Sequence, residues 1–458
     1  MSDDRPEIDG FTAAVENPSH RKIKRGRESI DGEDSISSLP DAILQHIFSQ
    51  IPTKYAVRTS ALSKRWRHVW SETPFLDIDC YRYEPDSVYE TLSRYSSPKI
   101  TSFNLSISTE ANQIDRFIDF AVSRDTEKLS LEFRHSHAVP YLFPEIFFTS
   151  RSLKQLSVEY SGTIDKIPGH VTVSWTSLKT LSLRGCDLSD EACAKILSGS
   201  PLLECLTLFV DKLELLDLSE CLMLKRLDVQ SWEQTLKIVA PRISFLRLTH
   251  SDESRCELLD VSSLTEANVD IYCSRRLGFL YDDFGDPETG LADSLQVLIL
   301  EALDKLQNVE KLTLCGAFCL QILSLAVLCG VPFPMFKVEA LTLETAIYPS
   351  IIPGVAKLIQ NSPRLKTIKF ETVDCKMLEE TRLTNYLYWK GLETRQCWEP
   401  KDVDGPSLSE PKLMTSVMKF LLKTSRNEWY KDGSYTFSLN KNSELSFVTH
   451  FTQDCLFP

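Results

Sequence analysis

The side chains with which this chain could hold a metal or attack an electrophile are its 13 cysteines and eight histidines, and their spacing argues against both. No two cysteines form a CxxC pair, the closest being Cys315 and Cys319, whereas a zinc site needs four converging ligands that usually come in short-spaced pairs. His135 and His137 would share one face of a strand, but two imidazoles leave a metal short of ligands. There is no glycine-rich phosphate loop, no G-x-S-x-G, no H-E-x-x-H and no calcium loop. The scattered thiols read as small apolar side chains inside a chain kept in a reducing compartment. Catalytic residues, a metal and a cofactor are therefore not expected, and the chemistry left is recognition.

The densest recognition chemistry is LPDAILQHIFSQIPTKYAVRTSALSKRWRHVW, residues 39–70. Lys54, Arg58, Lys64, Arg65 and Arg67 fall there with no acidic residue between Lys54 and Trp70, a patch that would steer an acidic partner surface. Ile43, Leu44, Ile47, Phe48 and Ile51 recur at helical spacing. Three short helices must position these groups. Ser38, with Pro40 in the first turn and Asp41 three residues on, gives the first a capping-box-like start, and Pro52 ends it. Thr53 is expected to cap the second, which carries Tyr55, Ala56, Val57 and Ala61. Ser63 is expected to cap the third, with Trp66, Val69 and Trp70 on one side as internal packing. Such a module, about thirty residues long, cannot bury a core alone. Burying a full apolar side chain is worth roughly 1.5–3 kcal/mol, so the following domain or a second protein must cover the stripe.

This stretch closely resembles the F-box in its plant form. The resemblance lies in Leu39-Pro40, the ILQHIFSQIP helix, the TSALSKRWRHVW run and the trailing PFLDID of Pro74 to Asp79. It implies docking on the SKP-type adaptor of an SCF ubiquitin ligase, and through it on a cullin, by Leu39, Pro40, Ile43, Ile47, Ile51, Pro52 and Val57.

From about residue 100 the pattern L-x-x-L-x-L recurs. Its clearest copy is LKTLSLRGCDL, with Leu178, Leu181, Leu183, Cys186 and Leu188, and it matches the leucine-rich-repeat template position by position. Further copies begin near Leu153, Leu203, Leu224, Ile243, Leu264, Val309, Val338 and Leu365, with Ile100, Phe103 and Leu105 as a degenerate first one. Steps of 25 to 29 residues suit a strand, a turn and a helix per repeat, and SDEACAKILSGSP from Ser189 to Pro201 reads as one such helix. AKILSGSPLLECLTL (194–208) aligns without gaps to AKLIQNSPRLKTIKF (356–370). Between 203 and 264 the steps shorten, and the apolar runs at 213–218, 236–239 and 258–261 are expected to replace the helix on the convex side. Stacking repeats bury one continuous core, so the leucines are structural. The third, fifth and seventh strand positions face the concave side. They select Thr180, Ser182, Arg184; Cys205, Thr207, Phe209; Arg226, Asp228, Gln230; Phe245, Arg247, Thr249; and Glu266, Asn268, Asp270. Arg184, Phe209, Arg226, Asp228, Phe245, Arg247, Glu266 and Asp270 are the candidates for holding a target protein.

The expected fold is α/β: a short three-helix F-box, a curved leucine-rich-repeat solenoid and a small α+β C-terminal cap. The expected limits are a charged tail at 1–34, the F-box at 35–80, the solenoid at 81–375 and a capping region at 376–458 with a helix over 411–425. The family often ends in a further small domain called FBD, whose apolar pattern the final segment WYKDGSYTFSLNKNSELSFVTHF does not match well. A net charge of −13 excludes nucleic acid as the main partner, no run of about 18 apolar residues spans a membrane, and the start MSDDRPEIDG lacks a secretory core. The basic cluster HRKIKRGR, His20 to Arg27, suits nuclear import, so nucleus and cytoplasm are both open. The expected function is substrate recognition for an SCF-type ubiquitin ligase, with no catalytic group of its own. The alternatives are a hormone-like small-molecule receptor, which needs basic and aromatic groups to converge where the sequence shows no such concentration, and an adaptor scaffold outside any ligase.

Overall fold

The computed structural model describes residues 36, 38–80, 85–107, 111–133, 141–163, 167, 170–210, 212–231, 235–251, 255–272, 290–373, 378, 380–392, 417, 419, 433–439 and 445–451. The basic cluster at 20–27, His135 and His137, and most of the 411–425 segment lie outside these residues.

The N-terminal module holds α1 (Asp41–Phe48), α2 (Thr53–Arg58) and α3 (Trp66–Val69). The boundaries differ from the capping expectations. The first helix starts at Asp41 with Pro40 at its N-cap and no side-chain capping bond, proline having no side-chain acceptor, and Asp41 is engaged by Arg65. It stops at Phe48, before Pro52, where Ser49 turns its hydroxyl back onto the His46 carbonyl at 2.6 Å. Thr53 is not a cap but the first residue of α2, and its buried Oγ1 accepts the Asp77 backbone N–H at 2.8 Å. Ser63 is not the N-cap of α3 either, which is Arg65, although Ser63 Oγ accepts the Trp66 N–H at 3.3 Å.

The chain then enters a 14-stranded sheet. Its first strands are β1 (Phe75–Asp79), β2 (Ser102–Ile107), β3 (Lys128–Phe133), β4 (Gln155–Thr163), β5 (Thr180–Asp187) and β6 (Cys205–Val210), all parallel. Helices α4 (Pro85–Leu92), α5 (Ala111–Val122), α6 (Glu145–Thr149) and α7 (Asp190–Ser198) intervene. Next come β7 (Leu215–Asp217), β8 (Arg226–Ser231), β9 (Thr235–Val239), β10 (Phe245–Ser251), β11 (Arg255–Asp260) and β12 (Glu266–Tyr272). Here the even-numbered strands continue the main sheet, while β7, β9 and β11 pair into a second parallel sheet. That sheet takes the place of the helix layer, packing against α7 at one end and against α8 (Leu291–Lys305) at the other. The short apolar runs do replace a helix, and they do so as strands whose backbone groups satisfy one another.

The last parallel strands are β13 (Lys311–Cys315), β14 (Ala340–Glu344) and β15 (Thr367–Glu371), carrying α9 (Ala317–Leu328) and α10 (Ile352–Gln360) between them and α11 (Glu380–Trp389) after them. The hairpin β16 (Gly433–Leu439) and β17 (Leu445–Phe451) adds antiparallel to β15 and covers the edge that β15 would otherwise present. Largely apolar all round, α9 is buried between α8 and α10, with its two polar side chains, Gln321 and Ser324, satisfied by hydrogen bonds. The gapless match of 194–208 to 356–370 is structural too: α7 and α10, β6 and β15 begin at equivalent positions.

β3 is a repeat strand that the sequence copies leave out. In β3 the pattern reads T-E-K-L-S-L, with Thr126 where a leucine should stand. Thr126 is nevertheless fully buried, its hydroxyl donating to the Ala121 carbonyl at 2.6 Å, so a satisfied polar group fills an apolar position. One hydrophobic core runs from Leu44 in α1 through the solenoid leucines to Phe437 in β16.

Candidate functional site

Two surfaces stand out. The first is the outer side of the N-terminal module. Leu44 and Phe48 of α1 turn inward, and Phe48 meets Trp66 with ring centroids 5.7 Å apart. Trp66 and Trp70 are buried, as packing residues should be. Ile43 and Ile47 turn outward and stay 46% and 42% exposed, with Pro40 exposed beside them. Leu39, Ile51 and Val57 are half-buried against the core, and Pro52 and Val57 line a cleft of about 260 Å³ with Asp77 and Val88. The apolar stripe therefore splits into a buried face and an open face. Sequence reasoning left Tyr55 and Leu62 out of the open face, although they are 45% and 71% exposed. Lys54 and Arg58 bracket the Tyr55 ring at 5.0 and 5.7 Å from its centroid.

The second surface is the concave side of the sheet. Leucines alternate inward along each strand, while Ser182 and Arg184, Thr207 and Phe209, and Asp228 and Gln230 face outward. The register sets Arg184 beside Phe209 and Arg226 beside Phe245. Each guanidinium lies over the ring of the next strand, 4.6 Å from the Phe209 centroid and 3.6 Å from that of Phe245. Arg184 is aimed by a bulge at Gly185, the extra residue on β5, whose φ of 67° suits glycine. Asp228 lies next to Arg247 across β8 and β10, and burial pushes its carboxyl above the ordinary range despite the pull of Arg247, Arg226 and Arg184. Farther along, Asp270 is also raised by burial, with Glu344 adding to the effect. Cys315 donates to Asn268 Oδ1 and Glu344 Oε2, both at 3.0 Å. Glu266 pairs with Lys311 at 3.4 Å. The sequence showed no concentration of basic and aromatic groups; the parallel register creates one, because it lines up residues 19 to 25 positions apart in the chain.

A family model for the F-box domain matches residues 36–77. A second, described as FBD-associated F-box protein At5g56370, LRR repeats, matches residues 114–262. The chain is 50% identical over 418 residues to F-box/LRR-repeat protein At5g02910 of Arabidopsis thaliana, covering 87% of this chain and 88% of that protein. It is 44% identical over 425 residues to putative F-box/LRR-repeat protein At5g02930 of the same plant, covering 88% of each. The chain belongs to the F-box/LRR-repeat family.

Proteins of the F-box/LRR-repeat family are in general non-catalytic adaptors, and the F-box in general binds SKP-type adaptors. Among the described thiols of this F-box/LRR-repeat protein, four buried ones have the properties of packing groups. Burial pushes Cys80, Cys186, Cys193 and Cys256 up to about 12, which keeps them protonated and non-nucleophilic at neutral pH. Among the described residues no group of three or more histidine, cysteine, aspartate or glutamate side chains is placed to hold a metal, and no helix is long and apolar enough to cross a membrane.

Proposed function

We propose that this chain is a substrate-recognition subunit of an SCF-type ubiquitin ligase, present in the nucleus, the cytoplasm or both. The F-box binds a SKP-type adaptor and through it the cullin, and the concave face of the repeats binds a target protein. The chain supplies no chemistry of its own. It raises the local concentration of target lysines near the charged conjugating enzyme, an effect of proximity.

The observation that carries this reading is the divided stripe of α1, in which Ile43 and Ile47 remain 46% and 42% exposed while Leu44 and Phe48 fill the core. Such a face is complete only when a second polypeptide covers it. Leu39, Pro40, Ile43, Ile47, Ile51, Pro52 and Val57 are proposed to make that contact. The test is a pulldown with a SKP-type adaptor. Wild type should retain it, and the double variant Leu39→Ala, Pro40→Ala should not; equal recovery would sink the reading.

A further inference from the structure

The charges of this solenoid fall into two populations. Those at the strand starts are paired with a neighbouring repeat: Glu127 holds Lys99 and Lys154 at 2.6 and 2.9 Å, Glu204 holds Lys179 at 2.8 Å and Glu339 holds Lys366 at 2.6 Å. Those in the middle of the concave face are not. Among the described residues Arg184, Arg226, Arg247, Glu159, Asp270 and Glu344 make no ion pair within 4 Å. Glu159 is the register neighbour of Arg184, yet Arg184 leans the other way, over Phe209.

The unpaired charges have an order along the sheet. Glu159 stands on β4. Arg184, Arg226 and Arg247 stand on β5, β8 and β10. Asp270 follows on β12, with Glu344 on β14. The pattern is acidic, basic, acidic. Thr207 and Phe209 on β6 and Asp228 and Gln230 on β8 lie between the arginines, with the small Ser182 and Thr249 beside Arg184 and Arg247 on their own strands. A guanidinium stacked on a ring keeps its N–H edge free for a carboxylate in its own plane. Asp228 sits among the three arginines, but its Oδ1 is shut away from water with no hydrogen-bond partner among the described residues, and Arg184 spends only its Nε, on Ser182 Oγ at 3.4 Å.

We propose that the middle of the concave face binds an extended target peptide with carboxylates at its centre and lysine or arginine on both flanks. The central carboxylates lie over Arg184, Arg226 and Arg247, one basic flank meets Glu159, and the other meets Asp270 with Glu344. The proposal rests on the target-receptor reading and names the target's chemistry. Five strand steps separate β4 from β12. At about 4.8 Å per step they span about 24 Å, which an extended peptide of about seven residues covers. Three guanidiniums spread over four strands suit several spaced carboxylates better than one compact anion.

The experiment uses the full chain co-purified with its SKP-type adaptor and fluorescein-labelled peptides read by anisotropy. One peptide carries glutamates at the centre and lysines at both ends, and a second carries the same residues with the glutamates outermost. The first should bind about tenfold more tightly, a difference of about 1.4 kcal/mol. The R226E, R247E double variant should lose that preference and gain affinity for a peptide with a lysine centre. Equal affinity for both orders, or a double variant that binds as wild type does, overturns the proposal. So does displacement of the peptide by inorganic phosphate at the peptide's own concentration, which would mark a small-anion site. The adaptor on the column separates the two ideas: its retention with no charge-order preference defeats only the peptide proposal, whereas its absence defeats the receptor reading.

Discussion

Arg65 reaches back across 24 residues to grip Asp41, its Nε 2.8 Å and its Nη2 2.5 Å from the same Oδ1. Nη2 also donates to the Leu39 carbonyl. One guanidinium thus fixes the entry to α1, where Leu39 and Pro40 stand. The pair is partly exposed, so its charge attraction is worth about 0.2–1 kcal/mol, and the carbonyl bond adds about 1 kcal/mol. Arg65→Ala is expected to weaken adaptor binding about three- to tenfold by interferometry, with Arg65→Lys in between. Unchanged affinity would mean that the Leu39 segment is held by other contacts.

Binding and stability should separate along α1. Ile43→Asp and Ile47→Asp change residues that are nearly half exposed, so the melting temperature should fall far less than for a core change while adaptor binding is lost. Leu44 is fully buried, and Leu44→Ala should cost about 2–5 kcal/mol. Circular dichroism and a binding assay on the three variants check this. An Ile47→Asp protein that melts early but still binds would reverse the assignment of the two faces.

Gly199 has an ordinary φ of −78°, so backbone freedom is not why it is glycine. A Cβ there would stand 2.5 Å from the Val173 carbonyl oxygen and 2.7 Å from the Val173 side chain. Gly199→Ala is expected to destabilise the solenoid by about 1–3 kcal/mol in thermal unfolding. A neutral result would show that the 171–175 segment yields freely.

Glu127 joins three repeats through Lys99 and Lys154, and those two ammonium groups hold its carboxyl down at about 2, against an ordinary 4.5. A carboxylate whose folded value is depressed stabilises above its unfolded value and loses that contribution as pH falls through the folded one. Glu127→Gln should therefore lower the melting temperature at pH 7, and its difference from wild type should shrink between pH 4.5 and about 2. Because the lysines are solvated, added salt should shrink it too. A difference that persists at pH 2 would point to packing instead of charge.

The local code was legible in the chain where spacing carries it. Leucines at L-x-x-L-x-L fixed which residues enter the core, because a strand alternates its side chains whatever its neighbours do. The same alternation placed Arg184, Asp228 and Arg247 on the open side. Position 126 escaped because a buried threonine satisfied by a carbonyl looks polar in sequence. In α1, Ile43 and Leu44 are adjacent and equally apolar, so periodicity could not say which side would be buried. Trp66, packed against Phe48, decides it from a later helix. Likewise no local pattern could bring Arg226 over Phe245 or pair β7, β9 and β11 into a sheet of their own. Sequence determined the repeat, its core and its faces, since these follow from side-chain period. Tertiary structure decided register and partnership, since both depend on residues that meet only after the coil has closed.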